Sequence, residues 1–253
     1  MKIVVLGGNG LIGSKVVHIL RARGHEVLTA SPSSGVDILT GAGLESALQD
    51  AKVVVDVTNS PSFEDAAVLR FFETAARNVL PAEAAAGVTH HVALSVVGAD
   101  RLPMSGYLRA KVAQEKAIAV GPIPYTVLRA TQFFEFIGAI ANASTNGDTV
   151  TLTSARVQPV AADDVAATLA ALAEEKPANA ILELGGPDRI GLDEAVRRLF
   201  ATTGDPRKVV TDASASYFGA TIDDGSLTTA DGARLGNIRF EQWLRRSVGA
   251  GHP

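Results

Sequence analysis

The sequence predicts an α/β protein with a doubly wound parallel β-sheet and a small, irregular C-terminal portion. Two observations lead to this class. Short apolar runs rich in β-branched residues alternate with helical patterns through the first half of the chain, which is typical of βαβ units. The chain has 253 residues, of which 47% are hydrophobic and 20% are charged, so it can bury a sizeable core.

The predicted strands of the first half are mostly continuous apolar runs, as expected for strands buried on both faces of a parallel sheet. In chain order they cover residues 2–6, 26–30, 36–39, 52–57, 91–97 and 125–129. Apolar residues at helical spacing predict helices over residues 11–23, 43–50, 63–86 and 107–119. Pro81 lies inside the third of these helices, where we expect a kink or a break.

The C-terminal part of the chain is less regular. We predict short strands over residues 149–153 and 181–184, and helices over residues 162–174, 192–202 and 240–248. Residues 211–236 are rich in Ser, Thr, Gly and Asp and are expected to form a long loop or a lid. No linker separates the two halves, so we expect the C-terminal portion to pack on the sheet.

Composition narrows the function classes. The net charge is −4, which argues against a nucleic-acid partner because phosphate binding needs a basic patch. The chain contains no cysteine, which excludes disulfides, zinc–thiolate sites and a cysteine nucleophile. It shows neither a signal-peptide pattern nor the roughly 18 consecutive apolar residues of a membrane span. We therefore expect a cytoplasmic protein with no membrane partner.

A glycine-rich turn follows the first predicted strand. Residues 7–13 read GGNGLIG, which contains the patterns G-x-x-G-x-x-G and G-x-G-x-x-G, both ending at Gly13. Glycines let backbone N–H groups approach a pyrophosphate, and the N-terminus of the following helix adds free donors and a partial positive charge. This strand–turn–helix context predicts a dinucleotide site, and a tight turn without a ligand is the alternative.

The residues at the end of the second predicted strand help to distinguish NAD(H) from NADP(H) as the bound dinucleotide. An Asp or Glu there would bind the ribose 2′-hydroxyl of NAD(H). The sequence instead has Ser31 and Ser33, whose hydroxyls can donate to a 2′-phosphate, so NADP(H) is preferred and NAD(H) remains possible. Asp37 can accept from the adenine amino group, with Ile38 beside the ring. A solvated, Ser-rich loop is the alternative.

Tyr107 and Lys111 form the pattern Y-x-x-x-K, which places both side chains on one face of a helix. Ser95 lies earlier, near the end of the predicted fifth strand. A phenol has a reference pKa near ~10, and a neighbouring ammonium and a cationic nicotinamide would lower that pKa. Tyr107 is thus a candidate acid/base, Lys111 a candidate ribose anchor and Ser95 a candidate oxygen binder. A half-buried Tyr and a solvated Lys are the alternative.

Over nearly its whole length the chain resembles the short-chain dehydrogenase/reductase superfamily, in particular its atypical branch of NmrA-like, NAD(P)-binding Rossmann-fold proteins. The motifs that carry the resemblance are GGNGLIG, VDVTN, AAAGVTHHVALSVVGAD, YLRAKVAQEKAI, PYTVLRATQFFE, VQPVAADDVA and LELGGPDRIGLDEA. Many NmrA-like members lack the catalytic Tyr, which this chain has. The catalytic Asn of the typical enzymes has no match, because the spacing of Asn78 does not fit.

The resemblance implies a set of cofactor-binding and catalytic positions. It places Lys111 beside the ribose and Ser95, Tyr107 and Lys111 in the catalytic trio. The implied cofactor-binding positions are Gly7, Asn9, Gly10, Leu11 and Ile12 in the turn, Thr58 and Asn59 after the fourth strand, and Ala130, Thr131 and Phe133 after the sixth. Gly13, which would let the helix pack closely on the sheet, is a further candidate in the turn. We expect residues 1–150 to form the NAD(P)-binding domain and residues 151–253 the smaller substrate-binding portion.

Two functional hypotheses follow. The first is an NAD(P)-dependent oxidoreductase that transfers hydride between the nicotinamide and a small carbonyl or alcohol. The second is an NmrA-like redox sensor or regulatory protein that binds NADP(H) without turnover. We expect no metal site, because His90 and His91 are adjacent and point to opposite faces of a strand. The substrate and the oligomeric state, monomer or homodimer, stay open.

Overall fold

The computed structural model describes residues 1–249, and their side chains as far as residue 246. These residues form two compact units, and the chain enters each unit twice. The first unit consists of Met1–Arg129 and Val165–Leu182, and the second of Ala130–Asp164 and the described residues from Glu183 onward. The single domain boundary at residue 150 stays a prediction.

The structure has the strands and helices that follow, numbered in chain order. The strands are β1 Lys2–Leu6, β2 Glu26–Ala30, β3 Val53–Asp56, β4 His90–Val96, β5 Tyr125–Ala130, β6 Thr145–Asn146, β7 Thr149–Leu152, β8 Arg156–Val157, β9 Ala180–Gly185, β10 Ile190–Gly191, β11 Lys208–Thr211 and β12 Arg234–Leu235. The helices are α1 Leu11–Ala22, α2 Leu44–Leu48, α3 Asp65–Ala86, α4 Gly106–Val120, α5 Ile137–Ala143, α6 Ala162–Glu174, α7 Leu192–Thr203 and α8 Phe240–Gly249.

The main sheet has seven strands in the order β12-β9-β5-β4-β3-β1-β2. Strand β1 pairs in parallel with both β2 and β3, and β3 pairs in parallel with β4. Residues Ile3, Val4, Val5 and Leu6 of β1 are all 0% exposed, because α/β layers cover both faces of a central parallel strand. The predicted doubly wound parallel sheet is confirmed.

The second unit also contains two smaller sheets. Strand β7 pairs in parallel with β11 and antiparallel with β6, and β8 pairs antiparallel with β10. Part of the predicted loop over residues 211–236 packs into this unit, since Leu227 is 0% exposed and Thr228 is 3% exposed.

One predicted strand and one predicted helix break are absent from the structure. Residues 36–39 do not form a strand, because the Asp37 carboxylate accepts from the Leu39 backbone N–H at 2.8 Å and closes a turn. Helix α3 does not break at Pro81 but runs on to Ala86. Buried residues on either side of Pro81, among them Leu80 and Glu83, anchor the helix there, so packing outweighs the lost backbone hydrogen bond.

No helix among residues 1–249 is long and apolar enough to cross a membrane.

In the turn between β1 and α1, the backbone at Gly13 lies very close to the backbone at Gly7. A Cβ atom at Gly13 would lie 2.2 Å from the Gly7 carbonyl oxygen, a separation that no side chain can occupy. Gly7 itself has a φ of +76°, in the left-handed region that favours glycine. The glycines at positions 7 and 13 are therefore required by the shape of the turn itself.

We expect Gly13→Ala to lower the free energy of unfolding by about 2–3 kcal/mol, because the backbone must move apart to admit the methyl group. Urea denaturation of the full chain measures this change. Gly138→Ala in α5 is the matched control, since a Cβ there would meet only Leu199 at an ordinary 3.8 Å. The control is expected to be neutral or slightly stabilising. Equal losses in the two variants would contradict the steric explanation.

Candidate active site

The glycine-rich turn presents free backbone donors. Gly10 is the N-cap of α1, and the first helical hydrogen bond runs from the Ser14 N–H to the Gly10 carbonyl at 2.9 Å. The N–H groups of Leu11, Ile12 and Gly13 precede this bond and point out of the helix end. The first turn of α1 contains no acidic residue. The residues of this turn therefore fit a pyrophosphate, which needs such donors and positive potential.

Asn9 connects the glycine turn to the end of β2. Its Nδ2 donates to the Ser31 hydroxyl at 2.7 Å and to the Ser33 hydroxyl at 2.9 Å. The two hydroxyls also lie 2.9 Å from each other. The structure thus brings together three residues that the sequence analysis selected separately, and all three of these hydrogen bonds are exposed to solvent.

The segment after these serines has a structural support that the sequence analysis did not predict. Asn78 on α3 donates from Nδ2 to the carbonyls of Ile38 and Leu39, both at 2.9 Å. Asp37 uses its carboxylate for the Leu39 turn, and the side chain of Ile38 packs against the core. Asn78 therefore fixes the loop that contains the two predicted adenine contacts.

Asp56 at the end of β3 orders the next segment. Its Oδ1 accepts from both the backbone N–H of Thr58 at 2.9 Å and the Thr58 hydroxyl at 2.6 Å. The side-chain oxygen of Asn59 accepts from the Ser60 N–H at 3.0 Å. Thr58 and Asn59 thus follow a strand end in a tight turn, at the edge of the sheet where parallel α/β folds bind ligands.

Lys111 is almost completely buried on the inner face of α4. Its ammonium donates to the Leu94 carbonyl at 2.9 Å and to the side-chain oxygen of Gln114, and it lies 4.3 Å from the centre of the Phe72 ring. Gln114 in turn donates to the Asp56 carboxylate at 3.0 Å. Burial lowers the pKa of Lys111 to about 8, and the negative charges of Asp56 and Glu115 partly counteract this shift.

Tyr107 lies one turn earlier on the same helix and packs among aromatic rings. The ring centres of Phe63 and Phe72 lie 5.5 Å and 6.4 Å from that of Tyr107. Burial raises the pKa of Tyr107 to about 12. This direction, which burial causes, is opposite to the shift that acid/base catalysis requires.

Ser95 belongs to a buried ionic network. It is 3% exposed, and its hydroxyl donates to Glu115 Oε1 at 2.6 Å. Glu115 also accepts from Arg129 Nε at 2.8 Å and Nη2 at 2.7 Å, and Arg129 Nη1 lies 2.9 Å from Asp100 Oδ2. Because the Ser95 hydroxyl donates its proton to a carboxylate, its oxygen can only accept further hydrogen bonds in this arrangement.

The sequence analysis missed Gln114 and Glu115. The available signal was their position, three and four residues after Lys111, which places them on the same helix face. Asp56 was missed as well, although it precedes Thr58 and Asn59 at the end of a buried strand.

The predicted cofactor-binding residues at the end of β5 and just after it lie in the second unit. Ala130 is buried, and Thr131 donates from its hydroxyl to the Gln158 carbonyl at 2.5 Å and from its backbone to the Leu184 carbonyl at 3.0 Å. Phe133 forms a parallel bridge with Val160.

The two adjacent histidines have separate buried partners. His90 Nε2 lies 2.9 Å from the Thr126 hydroxyl, and His91 Nδ1 lies 2.8 Å from Glu83 Oε1. Within the described part of the chain, no group of three or more His, Cys, Asp or Glu residues could hold a metal ion.

The parallel sheet, the glycine turn and the donors at the N-terminus of α1 define the class of NAD(P)-binding Rossmann proteins. A family model for NAD(P)H-binding proteins matches residues 7–176, which is more than half of the chain. The protein therefore belongs to this NAD(P)H-binding family. None of the curated proteins compared with it matches.

Solved structures share the fold. UDP-glucose 4-epimerase of Thermus thermophilus, in complex with NAD, superposes with a TM-score of 0.77 at 19% identity over 100% of both chains. A dTDP-4-dehydrorhamnose reductase of Clostridium acetobutylicum gives 0.75 at 18% identity, also over 100% of both chains. An NADPH-dependent quinone oxidoreductase of Escherichia coli, complexed with NADPH, gives 0.72 at 21% identity over 98% of this chain and 99% of its own. The predicted resemblance to the NAD(P)-binding superfamily is confirmed.

We expect Glu115→Leu to lower the free energy of unfolding by about 3–5 kcal/mol, because it leaves the buried Arg129 guanidinium with a single partner. Combining it with Arg129→Met is expected to cost clearly less than the sum of the two single changes. Urea denaturation of all three variants measures the coupling. Glu194→Leu is the control, because its ion pair with Arg198 is exposed and is expected to contribute no more than about 1 kcal/mol. Additive losses at positions 115 and 129 would contradict the network.

Lys111 also predicts a pH dependence of stability. Its pKa in the folded state is about 8, below the ordinary value of 10.5, so the folded state binds fewer protons than the unfolded state between these values. Stability therefore rises from pH 8 to pH 10.5, by roughly 3 kcal/mol for this group alone. Lys111→Met is expected to lack this rise, so the difference in stability between the native protein and the variant should grow with pH across this range.

Urea denaturation across this pH range tests the prediction. Lys116→Met is the matched control, because Lys116 lies exposed on the same helix and its replacement should leave the slope as in the native protein. Identical slopes for Lys111→Met and the native chain would show that Lys111 does not titrate in this way.

Proposed function

We propose that the protein is an NAD(P)-dependent oxidoreductase of the atypical short-chain class, acting on a small carbonyl or alcohol. The observation that carries the proposal is the arrangement of side chains on the inner face of α4. It places Tyr107 and Lys111 one turn apart, and the Lys111 ammonium reaches the Leu94 carbonyl and, through Gln114, the end of β3. Ligands of parallel α/β sheets bind at these carboxyl ends of the strands.

Each residue has a distinct role in the proposed reaction. A nicotinamide bound at this site would supply or accept the hydride. Tyr107 gives its phenolic proton to the carbonyl oxygen during reduction, and takes the hydroxyl proton back during oxidation. Lys111 would hold the ribose, and its positive charge would stabilise the Tyr107 phenolate. Ser95 would hold the reacting oxygen by turning its hydroxyl proton from Glu115 towards that oxygen.

We also propose that NADP(H) is the preferred dinucleotide. Ser31 and Ser33 are held together by Asn9 at the solvent-exposed end of β2, where they can donate to a 2′-phosphate. No Asp or Glu occupies residues 29–36, where a carboxylate would repel that phosphate. The cluster of hydroxyls favours the phosphorylated cofactor without the arginine that often serves this purpose.

Titration of the full chain with NADPH and with NADH, followed by a consumption assay over a panel of aldehydes, ketones and alcohols, tests both proposals. Tighter binding of NADPH together with turnover of a panel member is the expected result. Failure of both cofactors to bind would overturn the role assigned to the glycine turn.

We expect Tyr107→Phe to reduce turnover at least a hundredfold, because the variant has no proton to exchange with the substrate oxygen. Affinity for the cofactor should change less than threefold, since the phenol ring and its packing against Phe63 and Phe72 are kept. Fluorescence titration and the consumption assay measure the two effects. Tyr125→Phe, at the start of β5, is the matched control and should leave turnover unchanged. Native-like turnover in Tyr107→Phe would overturn the acid/base assignment.

A second candidate function is a redox sensor that binds NADP(H) without turnover. Two observations favour it, namely the raised pKa of Tyr107 and the commitment of the Ser95 hydroxyl to Glu115. Tight NADPH binding with no turnover anywhere on the panel is the result that this alternative predicts.

A further inference from the structure

The second unit contains a cavity of about 300 Å³, and none of the residues assigned to the proposed reaction is among those that line it. Its walls come from α5, β7 and the segment that follows β11. Ile140, Ser144, Thr151, Ser216, Tyr217 and Phe218 are among the lining residues. The volume lies at the lower end of the range for pockets that hold small organic molecules.

A strained hairpin forms one wall of this cavity. Tyr217 and Ala220 exchange two backbone hydrogen bonds, at 2.7 Å and 3.0 Å, so Phe218 and Gly219 are the two central residues of the turn. Their φ angles are +45° and +82°, which is the pattern of a type I′ turn. Such turns favour Asn-Gly, and a bulky side chain at the first central position is an outlier. Phe218 therefore carries its phenyl ring at the tip of the turn in a backbone conformation that is strained for this residue type.

The phenyl ring is also exposed. Phe218 is 49% exposed and Phe136 is 37% exposed, and the two rings stack with centres 6.1 Å apart and planes inclined by 26°. Tyr217 contacts Phe218 edge-on at 4.9 Å. Exposed aromatic surface and left-handed backbone both cost stability, and strained residues of this kind cluster at ligand sites.

The lining of the cavity indicates the chemistry of its occupant. None of the residues that line it is charged, so it offers no partner to an ion. The hydroxyls of Ser144, Thr151 and Ser216 can donate to or accept from a neutral oxygen. The stackable ring of Phe218 suits a flat molecule.

We propose that this cavity binds a neutral aromatic molecule that carries a hydroxyl or carbonyl group, with Phe218 as the stacking residue. The proposal does not depend on the oxidoreductase activity, because every residue that carries it lies in the second unit.

Calorimetric titration of the full-length protein, with no nicotinamide cofactor added, tests the proposal at neutral pH. The probes are 2-naphthol, the anion 2-naphthoate and the non-aromatic cyclohexanol. We expect saturable binding of 2-naphthol, and binding at least tenfold weaker for both of the other probes.

Phe218→Asn is the decisive variant because it suits the type I′ turn and should fold at least as well as the native chain. It is expected to keep or raise the midpoint of urea unfolding while weakening 2-naphthol binding at least tenfold. Leu235→Asn is the matched control, since Leu235 is 55% exposed in the same unit and does not line the cavity. It should leave 2-naphthol binding unchanged.

Three binding results would each overturn the proposal. They are the absence of saturable 2-naphthol binding, equal affinity for 2-naphthol and 2-naphthoate, and native affinity in Phe218→Asn. A loss of stability in Phe218→Asn would also overturn it, because Phe218 would then be retained for packing. None of these results bears on the oxidoreductase proposal, since the titrations involve neither the cofactor nor Tyr107.

Discussion

The burial of two opposite charges on one helix face constrains much of the first unit. Lys111 is 2% exposed and Glu115 is 4% exposed, and a buried charge is tolerated only when it has close partners. Leu94 and Ser95 on β4, Arg129 on β5, and Asp56 on β3 through Gln114 supply those partners. Helix α4 is thereby connected to three neighbouring strands by directional bonds, which fix its rotation and its height above the sheet. Tyr107, one turn away, takes its position from the same bonds.

The parallel sheet could be predicted because its central strands have an unambiguous local signal. A strand covered on both faces must be apolar at every position, and KIVVL and KVVVDV show this directly. Residues 36–39 show the limit of that signal. They form a short, mostly apolar run, but the Asp37 carboxylate accepts the Leu39 backbone N–H and closes a turn, so no strand forms. Pro81 shows another limit, since the cost of a missing hydrogen bond is local while the packing that compensates for it is tertiary.

The features of the candidate site also fall into two groups, those that a local sequence pattern predicts and those that it does not. The glycine turn and the Tyr107–Lys111 pair follow from spacing within one element, so the sequence alone could predict them. The link from Asn9 to Ser31 spans 22 positions, and that from Ser95 to Glu115 spans 20. Such contacts depend on how the strands are ordered in the sheet, which no local pattern encodes. For this reason the sequence analysis did not select Gln114 and Glu115, although both are buried.

The discontinuity of the first unit has a consequence for synthesis on the ribosome. This unit closes only with residues Val165–Leu182, which include the first residues of β9, the neighbour of β5 in the sheet. Chains emerge at about 5–20 residues per second, so β5 remains an unpaired sheet edge for several seconds while the intervening residues are made. Unpaired edges are templates for association with other chains. The nascent protein is thus most exposed to aggregation after its glycine turn and α4 have emerged, and chaperone contact is expected to concentrate on β5 in that interval.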